Sequence, residues 1–276
     1  MNRAVVQTAK RALRGMIPHP VRMHREVQYF RKFGELELRI VRHLCRADSD
    51  SLDVGANEGC YIHFMRPYSR HVYAFEPVPW LGDLLASKFP RGVTIKNIGL
   101  SNTRGTAILE IPATADGLVA GRASLNPAAL SSYAARRSVE VPIAPLGEVY
   151  SDTCGFIKID VEGHEEAVLD GAWTTIARCR PRVLVEIEER MSPGSVERIT
   201  QAFARLNYRG YFFLGRTMTP IENFDRESMQ RPEDIADYTA GTPRTHFVRY
   251  INNFLFLPPD EPDTTFAHIA ADLTVA

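Results

Sequence analysis

Three titratable side chains lie within five positions of one another, directly after an apolar stretch of the chain. Asp160, Glu162 and His164 follow a predicted strand, and Gly163 relieves the turn between them. Carboxylates and an imidazole at the carboxyl end of a strand can transfer protons or hold a divalent cation. A structural role is the alternative, because carboxylates also favour the positive start of a following helix. We predict a functional role, with acid–base chemistry and cation binding both open.

A glycine-bearing turn with the pattern D-x-G-x-N-x-G begins at Asp53. Gly55 and Gly59 let the backbone turn sharply and approach a ligand closely, and Asn57 tolerates a positive φ. Glu76, 23 positions after Asp53, ends the next predicted strand, where a carboxylate can accept both hydroxyls of a ribose. This arrangement is typical of a nucleotide-type ligand site. The alternative is a tight strand-to-helix turn of any doubly wound protein.

Alternating strands and helices surround these two stretches, which predicts an α/β fold. Ligands of such folds bind at the carboxyl ends of the strands. Gly99, after the third predicted strand, should therefore line the same crevice and face a flat base such as adenine. The predicted strands span residues 51–54, 71–75, 93–97, 155–159, 181–187, 211–214 and 253–257, and the predicted helices span residues 61–65, 80–88 and 195–206.

Residues 101–150 interrupt this alternation. Two short predicted strands flank a loop rich in Gly, Ala and Ser, and no helical crossover is evident. We predict an inserted hairpin or lid, with Arg122 and Ser124 as substrate-side candidates, because loops over a site often carry specificity. Together with a polar segment at residues 215–250, the insertion is expected to define the substrate pocket.

The composition fits one large α/β domain with an extension: 276 residues, 45% hydrophobic and 24% charged. The net charge is zero, so we expect no nucleic-acid partner. Four cysteines form no C-x-x-C pair, and neither a zinc site nor a disulfide framework is indicated. Reduced thiols and a cytoplasmic location are the expectation. No apolar run approaches the ~20 residues that span a bilayer.

Positive charge is concentrated near the N-terminus, where residues 1–47 carry eleven Lys or Arg and three Glu. The spacing of apolar and basic residues over positions 1–17 predicts a short basic amphipathic helix. This helix could lie on an anionic membrane or pack on its own domain. A second helical stretch is predicted over residues 27–44. Three parts of the chain are therefore expected: a basic helical extension at residues 1–35, the main domain at residues 36–258 and a frayed tail at residues 259–276.

The combination of motifs resembles the FkbM-type family of S-adenosylmethionine-dependent methyltransferases. The matching segments are the turn D-V-G-A-N-E-G, the F-E-P that ends at Pro77, the run K-I-D-V-E-G-H-E, the V-E that ends at Glu186 and the closing N-F-L-F-L-P. The resemblance covers roughly residues 36–258. One departure is Glu58, where family members often carry an apolar residue, and it bears on the packing of the turn.

The resemblance implies a class I methyltransferase fold, with a seven-stranded, mostly parallel sheet and helices on both faces. It implies S-adenosyl-L-methionine as the cofactor and O-methylation of a hydroxyl on a sugar, glycan or natural product. By position, the methionine end of the cofactor would be surrounded by Asp53, Gly55, Asn57 and Gly59, and Glu76 would hold the ribose. The residues beside the transferable methyl would be Asp160, Glu162 and His164. Asp160 would also bind the cofactor.

Two other classes of protein stay open from the residues alone. A nicotinamide-dependent oxidoreductase would also use a strand, a glycine turn and a later acid, but the turn lacks the G-x-G-x-x-G spacing that cradles a pyrophosphate. A non-catalytic binding protein with the same fold is the other class, although the intact Asp160, Glu162 and His164 favour an enzyme. We predict no metal site, and nothing in the sequence indicates the oligomeric state.

Overall fold

The computed structural model describes residues 19–114, 117–239 and 250–274. The predicted helix at residues 1–17 lies outside the described residues. Among the described residues, no helix has the length and apolar character needed to cross a membrane.

A mixed sheet of eight strands forms the centre of the molecule, in the order β11-β10-β12-β9-β8-β1-β2-β3. The five strands from β9 to β3 are parallel, whereas β12 and β11 each run antiparallel to their neighbours. The strands of the chain are β1 Asp50–Val54, β2 Val72–Phe75, β3 Val93–Lys96, β4 Gly99–Leu100, β5 Gly105–Thr114, β6 Gly117–Leu118, β7 Ala135–Ala144, β8 Cys154–Ile159, β9 Arg182–Glu186, β10 Arg209–Leu214, β11 Thr217–Pro220 and β12 Asn253–Leu257.

The prediction of seven strands is wrong by one, because β11 adds an eighth. It pairs with β10 through a two-residue turn that joins Leu214 to Thr217. Gly215 in this turn has φ +61°, a left-handed conformation that glycine adopts without a steric penalty. Strand β11 falls in the polar segment at residues 215–250, where no strand is predicted.

Helices cover both faces of the sheet, and each face has its own apolar core. Leu169, Ile176 and Phe203 pack on one face, and Ile62 and Leu273 pack on the other. The α-helices are α1 His19–Phe33, α2 Val41–Leu44, α3 Cys60–Met65, α4 Pro79–Lys88, α5 Leu146–Val149, α6 Glu165–Asp170, α7 Trp173–Cys179, α8 Ser195–Ala204, α9 Arg226–Met229, α10 Pro232–Thr239 and α11 Asp263–Thr274. Burial on both faces explains why the central strands read as unbroken apolar runs.

The chain near the N-terminus differs from the single helix predicted over residues 27–44. Helix α1 ends at Phe33, and a short 3₁₀ turn and α2 follow it. A Cβ at Gly34 would lie 2.4 Å from the carbonyl oxygen of Phe30, so the close turn there requires glycine. This break separates α1 from the rest of the predicted helix.

The C-terminal segment forms a packed helix where a frayed tail is predicted. In α11, Ile269 and Leu273 are fully buried in the core on the face of the sheet that also holds Ile62, which we call the second core. Arg182 at the start of β9 forms a buried ion pair of 2.7 Å with Glu261, just before the helix. The apolar positions are spaced four apart, which is the period of one helical face.

The insertion after β3 forms a second, four-stranded sheet in the order β4-β7-β5-β6. Strands β5 and β7 pair antiparallel over their whole length, from Gly105 opposite Ile143 to Ala113 opposite Ala135. A small third core lies under this sheet, with Val78 and Leu81 packed against Leu109. The predicted hairpin corresponds to these two long strands, and we call residues 105–144 the lid.

Candidate active site

The carboxyl ends of β1, β2 and β8 meet at one edge of the main sheet, because these strands are parallel neighbours. Asp53 lies near the end of β1, Glu76 follows β2, and Asp160 follows β8. The loops after these strands therefore enclose a common space. Two connected features occupy it: a small pocket of about 60 Å³ and a larger cavity of about 340 Å³.

The small pocket lies between the loop after β2 and the lid. It is lined on one side by the glycine turn, Glu76 and His164, and on the other by apolar residues of the lid. The residues that line it are Gly55, Asn57, Glu76, Pro77, Gly99, Leu100, Leu109, Ala120, Gly121, Ala123, Leu125, Asp160, Val161, Glu162 and His164. Gly99 is tightly enclosed, since a Cβ there would lie 3.3 Å from Ile143 and 3.4 Å from Leu125.

Glu76 is buried and held by two backbone groups. Its Oε2 accepts a hydrogen bond of 2.7 Å from the N–H of Asn57, and its Oε1 accepts one of 2.9 Å from the N–H of Val78. Burial raises the pKa of Glu76 to about 7 although both backbone hydrogen bonds favour the ionised form. Each oxygen keeps a further lone pair, so the carboxylate can still accept two hydroxyl groups.

The larger cavity is rich in carboxyl groups. Six acidic side chains share it with three basic ones. The acidic residues are Glu35, Asp53, Asp160, Glu162, Glu186 and Glu188, and the basic residues are Arg122, Lys158 and Arg190. This charge composition suits a ligand that brings positive charge or many hydrogen-bond donors.

Asp53 and Lys158 form the floor of this cavity. Oδ2 of Asp53 is buried and has no hydrogen-bond partner among the described residues. Burial raises the pKa of Asp53 to about 7, although the charge of Lys158 works against that rise. Such a buried, unpartnered carboxyl oxygen is a strong candidate for a ligand contact.

Lys158 is completely buried near the end of the apolar strand β8. Its Nζ donates to the carbonyl oxygen of Ile159 at 3.2 Å and to Oδ1 of Asn253 at 3.3 Å. It also lies 4.0 Å from a carboxylate oxygen of Glu186. Burial opposes its positive charge, but Asp160 and Glu186 outweigh that effect and the pKa of Lys158 lies above its usual value. The charged lysine therefore holds the acidic cluster together.

Glu162 lines both the small pocket and the larger cavity. Its backbone has φ +52°, a left-handed conformation that is uncommon outside glycine and is often kept at functional positions. Burial, together with the nearby charge of Asp160, raises the pKa of Glu162 to about 8. Arg122 from the lid lies 3.9 Å away. This carboxyl group can exchange a proton near neutral pH.

His164 lines the small pocket and is not among the residues that line the larger cavity. Its Nε2 lies 3.0 Å from Oγ of Ser101. Burial lowers the pKa of His164 below its usual value, so the ring is neutral at pH 7. Asp160, by contrast, lines both spaces, and burial raises its pKa despite the charge of Lys158.

Packing within the protein explains the two glycines of the turn. A Cβ at Gly55 would lie 1.8 Å from the carbonyl oxygen of Asp160, and one at Gly59 would lie 2.6 Å from Phe89. Asn57 has φ +48°, in keeping with its place in the pattern. Gly121 of the lid approaches the same turn, since a Cβ there would lie 2.7 Å from Nδ2 of Asn57. The lid therefore closes directly onto the glycine turn.

The sequence predicts no site role for several residues that line the cavity. They are Lys158, Glu186, Glu188, Arg190 and Tyr250. Lys158 carried a usable signal, because a charge inside a strand buried on both faces needs a partner. Arg122, a predicted substrate-side residue, does line the cavity, whereas Ser124 bonds the loop after β8.

The sequence pattern of the methyltransferase FkbM domain matches residues 53–211. The chain belongs to this methyltransferase family. The match confirms the resemblance drawn from the motifs and, with it, S-adenosyl-L-methionine as the cofactor. It also decides against the nicotinamide-dependent oxidoreductase. No curated protein matches the chain.

Solved structures of methyltransferases are similar to this chain at low identity. A methyltransferase FkbM from Methylobacillus flagellatus KT has 14% identity and a TM-score of 0.47, over 76% of this chain and 44% of that chain. A precorrin-6y C5,15-methyltransferase from Geobacter metallireducens GS-15 has 12% identity and a TM-score of 0.40, over 80% and 87%. A putative methyltransferase from Streptococcus mutans, in complex with SAH, has 9% identity and a TM-score of 0.39, over 80% and 95%. This chain thus spans less than half the length of the first of these proteins.

The methyltransferase has residues that fit its cofactor. The unpartnered oxygen of Asp53 and the doubly held carboxylate of Glu76 lie at the ends of adjacent strands. A ribose needs a carboxylate that accepts two hydroxyls, and an ammonium group needs buried acceptors. Among the described residues, no group of three or more His, Cys, Asp or Glu is arranged to hold a metal ion.

Proposed function

We propose that this methyltransferase transfers a methyl group to a hydroxyl of a small-molecule or glycan acceptor, such as a sugar or a natural product, bound in the larger cavity. The observation that carries the proposal is the position of Glu162. This carboxyl group lines both the small pocket and the larger cavity, and its pKa of about 8 suits a general base. The hydroxyl acceptor itself follows from the family resemblance.

The proposed cofactor site extends from the floor of the cavity into the small pocket. Glu76 would accept the ribose hydroxyls, and Gly99 would lie against the adenine. Asp53 and Asp160 would face the methionine end, beside the turn of Gly55, Asn57 and Gly59. When bound, S-adenosyl-L-methionine supplies an electrophilic methyl group on a sulfonium. The buried carboxyls support this placement, because a cationic ligand lowers the cost of keeping them ionised.

Glu162 would accept the proton of the acceptor hydroxyl while the new O–C bond forms and the C–S bond breaks. Arg122, 3.9 Å from Glu162, would stabilise the ionised carboxylate before the proton is taken. Asp160 faces the fully buried Lys158 and is better suited to bind positive charge than to take a proton. Holding the hydroxyl in line with the methyl group supplies much of the rate, on the order of 7 to 11 kcal/mol in favourable cases.

His164 is the second candidate for the base. It is neutral at pH 7 and can accept a proton. A hydrogen bond between its Nε2 and Oγ of Ser101, which lie 3.0 Å apart, would orient its ring. Its place in the small pocket argues for a role beside the cofactor instead. The two candidates predict different pH profiles, because burial raises the pKa of Glu162 to about 8 and lowers the pKa of His164 from 6.5.

The test is methyl transfer to a panel of hydroxylated acceptors, measured from pH 5 to 9 for the wild type and for Glu162→Gln and His164→Ala. If Glu162 is the base, kcat/KM rises with pH through a midpoint near pH 8 and levels off above it, since only the ionised form accepts a proton. Glu162→Gln should remove this rise and lower turnover by about 10²–10⁴-fold. Binding of S-adenosylhomocysteine should stay nearly unchanged.

His164→Ala should lower turnover less and keep the shape of the pH profile. A pH profile with its midpoint below pH 6.5, which is lost in His164→Ala, would assign the base to His164 instead. No transfer to any acceptor, despite cofactor binding, would favour a binding protein that has lost its chemistry.

A further inference from the structure

Helix α1 forms a wall of the larger cavity, although it lies outside the residues matched by the family. The family match begins at residue 53, and α1 ends at Phe33. Tyr29, Phe30 and Phe33 all line the cavity. The rings of Tyr29 and Phe33 lie 5.0 Å apart, and they share this space with the carboxyl group of Glu162. The proposed acceptor space therefore has an aromatic edge that the family match does not supply.

The aromatic edge is accessible to a ligand. Tyr29 is 59% exposed, and α1 has no fully buried residue. Phe30 is partly buried against the second core, so it anchors the helix while Tyr29 stays free on the surface. Covering an exposed aromatic ring at the mouth of a cavity with a flat or ring-shaped ligand stabilises the complex, because apolar surface leaves water.

A buried lysine joins α1 to the glycine turn of the cofactor site. Nζ of Lys88, at the end of α4, donates a hydrogen bond of 2.8 Å to the carbonyl oxygen of Glu58 and lies 2.9 Å from Oε2 of Glu26 in α1. Lys88 is 4% exposed, so its ammonium group is largely shielded from solvent. His19, at the start of α1, also lies 2.9 Å from the carbonyl oxygen of Lys88.

These contacts form a continuous network from the cofactor site to α1. The carboxylate of Glu76 accepts the N–H of Asn57, and the adjacent peptide of Glu58 binds Lys88, which in turn binds Glu26. A ligand that fixes Glu76 and the turn therefore also fixes the partner of Lys88. Coupling of this kind requires a chain of packed and hydrogen-bonded groups, which the network provides.

We propose that α1 is the acceptor-binding wall of this methyltransferase and that its Tyr29 and Phe33 contact a ring-shaped acceptor. Lys88 is a positioning residue, which holds α1 in place against the glycine turn when the cofactor binds. The acceptor class is a ring with an apolar face for the aromatic side chains and hydroxyl donors for the carboxylates. This inference rests on the proposed function.

The first test is hydrogen exchange of the full chain with and without S-adenosylhomocysteine. In the wild type, the ligand should slow exchange at residues 53–59 and also, several-fold, at residues 19–33. In Glu26→Gln, the effect at residues 19–33 should disappear while the effect at residues 53–59 persists. Gln28→Ala, an exposed position on the same helix, is the matched control and should behave as the wild type.

The outcomes separate this inference from the proposed function. Two results would overturn the coupling through Lys88. One is slower exchange at residues 53–59 without any change at residues 19–33 in the wild type. The other is slower exchange at residues 19–33 that persists in Glu26→Gln. No effect at residues 53–59 would instead remove the cofactor site on which the proposed function depends.

The second test compares Tyr29→Ala with Trp80→Ala, an exposed aromatic residue of α4 that is not among those lining the cavity. Tyr29→Ala should raise the KM for the acceptor about tenfold, with kcat and affinity for S-adenosylhomocysteine nearly unchanged. Trp80→Ala should have no such effect. Equal acceptor KM values in both variants and the wild type would overturn the assignment of the wall.

Discussion

The ionised carboxyl of Asp53 carries an unfavourable free energy of burial that a hydrogen-bonding ligand would relieve. Its Oδ2 has no partner among the described residues, and burial raises its pKa to about 7. Lys158 stabilises the ionised form but does not outweigh burial. Functional sites often keep such a cost, because the group must be free when the ligand arrives.

The stability of the ligand-free protein should therefore depend on pH through Asp53. The unfolded carboxyl has a pKa of 3.8 and the folded one about 7, so folding takes up a proton between these values. That contribution to stability is fully present below about pH 4 and is lost as the pH rises through about 7. Asp53→Asn, which stays neutral, should thus gain stability relative to the wild type between pH 5 and pH 8, by on the order of 2–3 kcal/mol.

Urea unfolding at pH 5 and pH 8 measures this difference. Taking the difference between variant and wild type removes the opposite contribution of His63 and His164, whose pKa values burial lowers. An Asp53→Asn variant that is equally stable relative to the wild type at both pH values would show that Asp53 is already paired.

At this scale, the sequence predicted the acidic residues better than their surroundings. Asp53, Glu76, Asp160 and Glu162 could be placed because each follows a strand in a short motif. The role of Lys158 could not be read from the motif, because its partners Glu186 and Asn253 come from strands far apart in the chain. Spacing along the chain predicts neighbours on one loop but not across three strands.

At the scale of elements, a buried serine of the lid binds the loop after β8. Oγ of Ser124 donates a hydrogen bond of 2.5 Å to the carbonyl oxygen of Glu162 and accepts one of 2.9 Å from the N–H of Asn126. The bond therefore fixes the strained backbone of the proposed base. Ser124, predicted to face the substrate, has a positioning contact in the structure.

Ser124→Ala should lower turnover while the pH profile keeps its shape. The change leaves the partly buried carbonyl oxygen of Glu162 without this donor, a loss of about 1–3 kcal/mol, and loosens the loop that carries Glu162. Ser138→Ala, which removes an exposed hydrogen bond to Glu110 in the same lid, is the control and should have little effect. Steady-state rates and melting temperatures of both variants provide the comparison, and equal turnover in the two would contradict the role of Ser124.

Helix α11 stabilises the face of the sheet opposite α8. Leu273 is fully buried there, so Leu273→Ala should destabilise the protein by about 2–5 kcal/mol, measured by urea unfolding. The exposed Thr274→Ala is the control and should change stability by less than about 0.5 kcal/mol. A negligible loss in Leu273→Ala would mean that the helix does not pack as the structure describes.

Local patterns explain which elements the sequence predicted. The parallel strands were found because each is an apolar run bounded by turn residues. The frayed tail and the long helix over residues 27–44 were not correct. Gly34 breaks that helix, and α11 packs against α2 and the 3₁₀ turn Leu36–Arg39, which lie more than 200 residues away in the chain.

At the scale of the whole molecule, the order of the strands brings the site together. Strands β2, β1, β8 and β9 are consecutive in the sheet, so Glu76, Asp53, Asp160 and Glu186 lie along one edge. The lid covers the small pocket, and α1 lines the larger cavity. Ile235 and Tyr250, from the polar segment at residues 215–250, also line the cavity. The motifs predicted that Asp53, Glu76 and Asp160 follow strands at this edge, but not that Tyr29 and Phe33 line the cavity, since nothing local in α1 indicates what it packs against.

The most direct test of the central claim is calorimetric titration of the purified protein with S-adenosylhomocysteine. The wild type should bind with a micromolar Kd, and Glu76→Ala should bind at least about tenfold more weakly, a loss of about 1.4 kcal/mol. Glu222→Ala, an exposed carboxylate removed from the site, should bind as the wild type, and melting temperatures of all three proteins would show that each is folded. No binding by the wild type, or equal affinity in Glu76→Ala, would contradict the cofactor site described here.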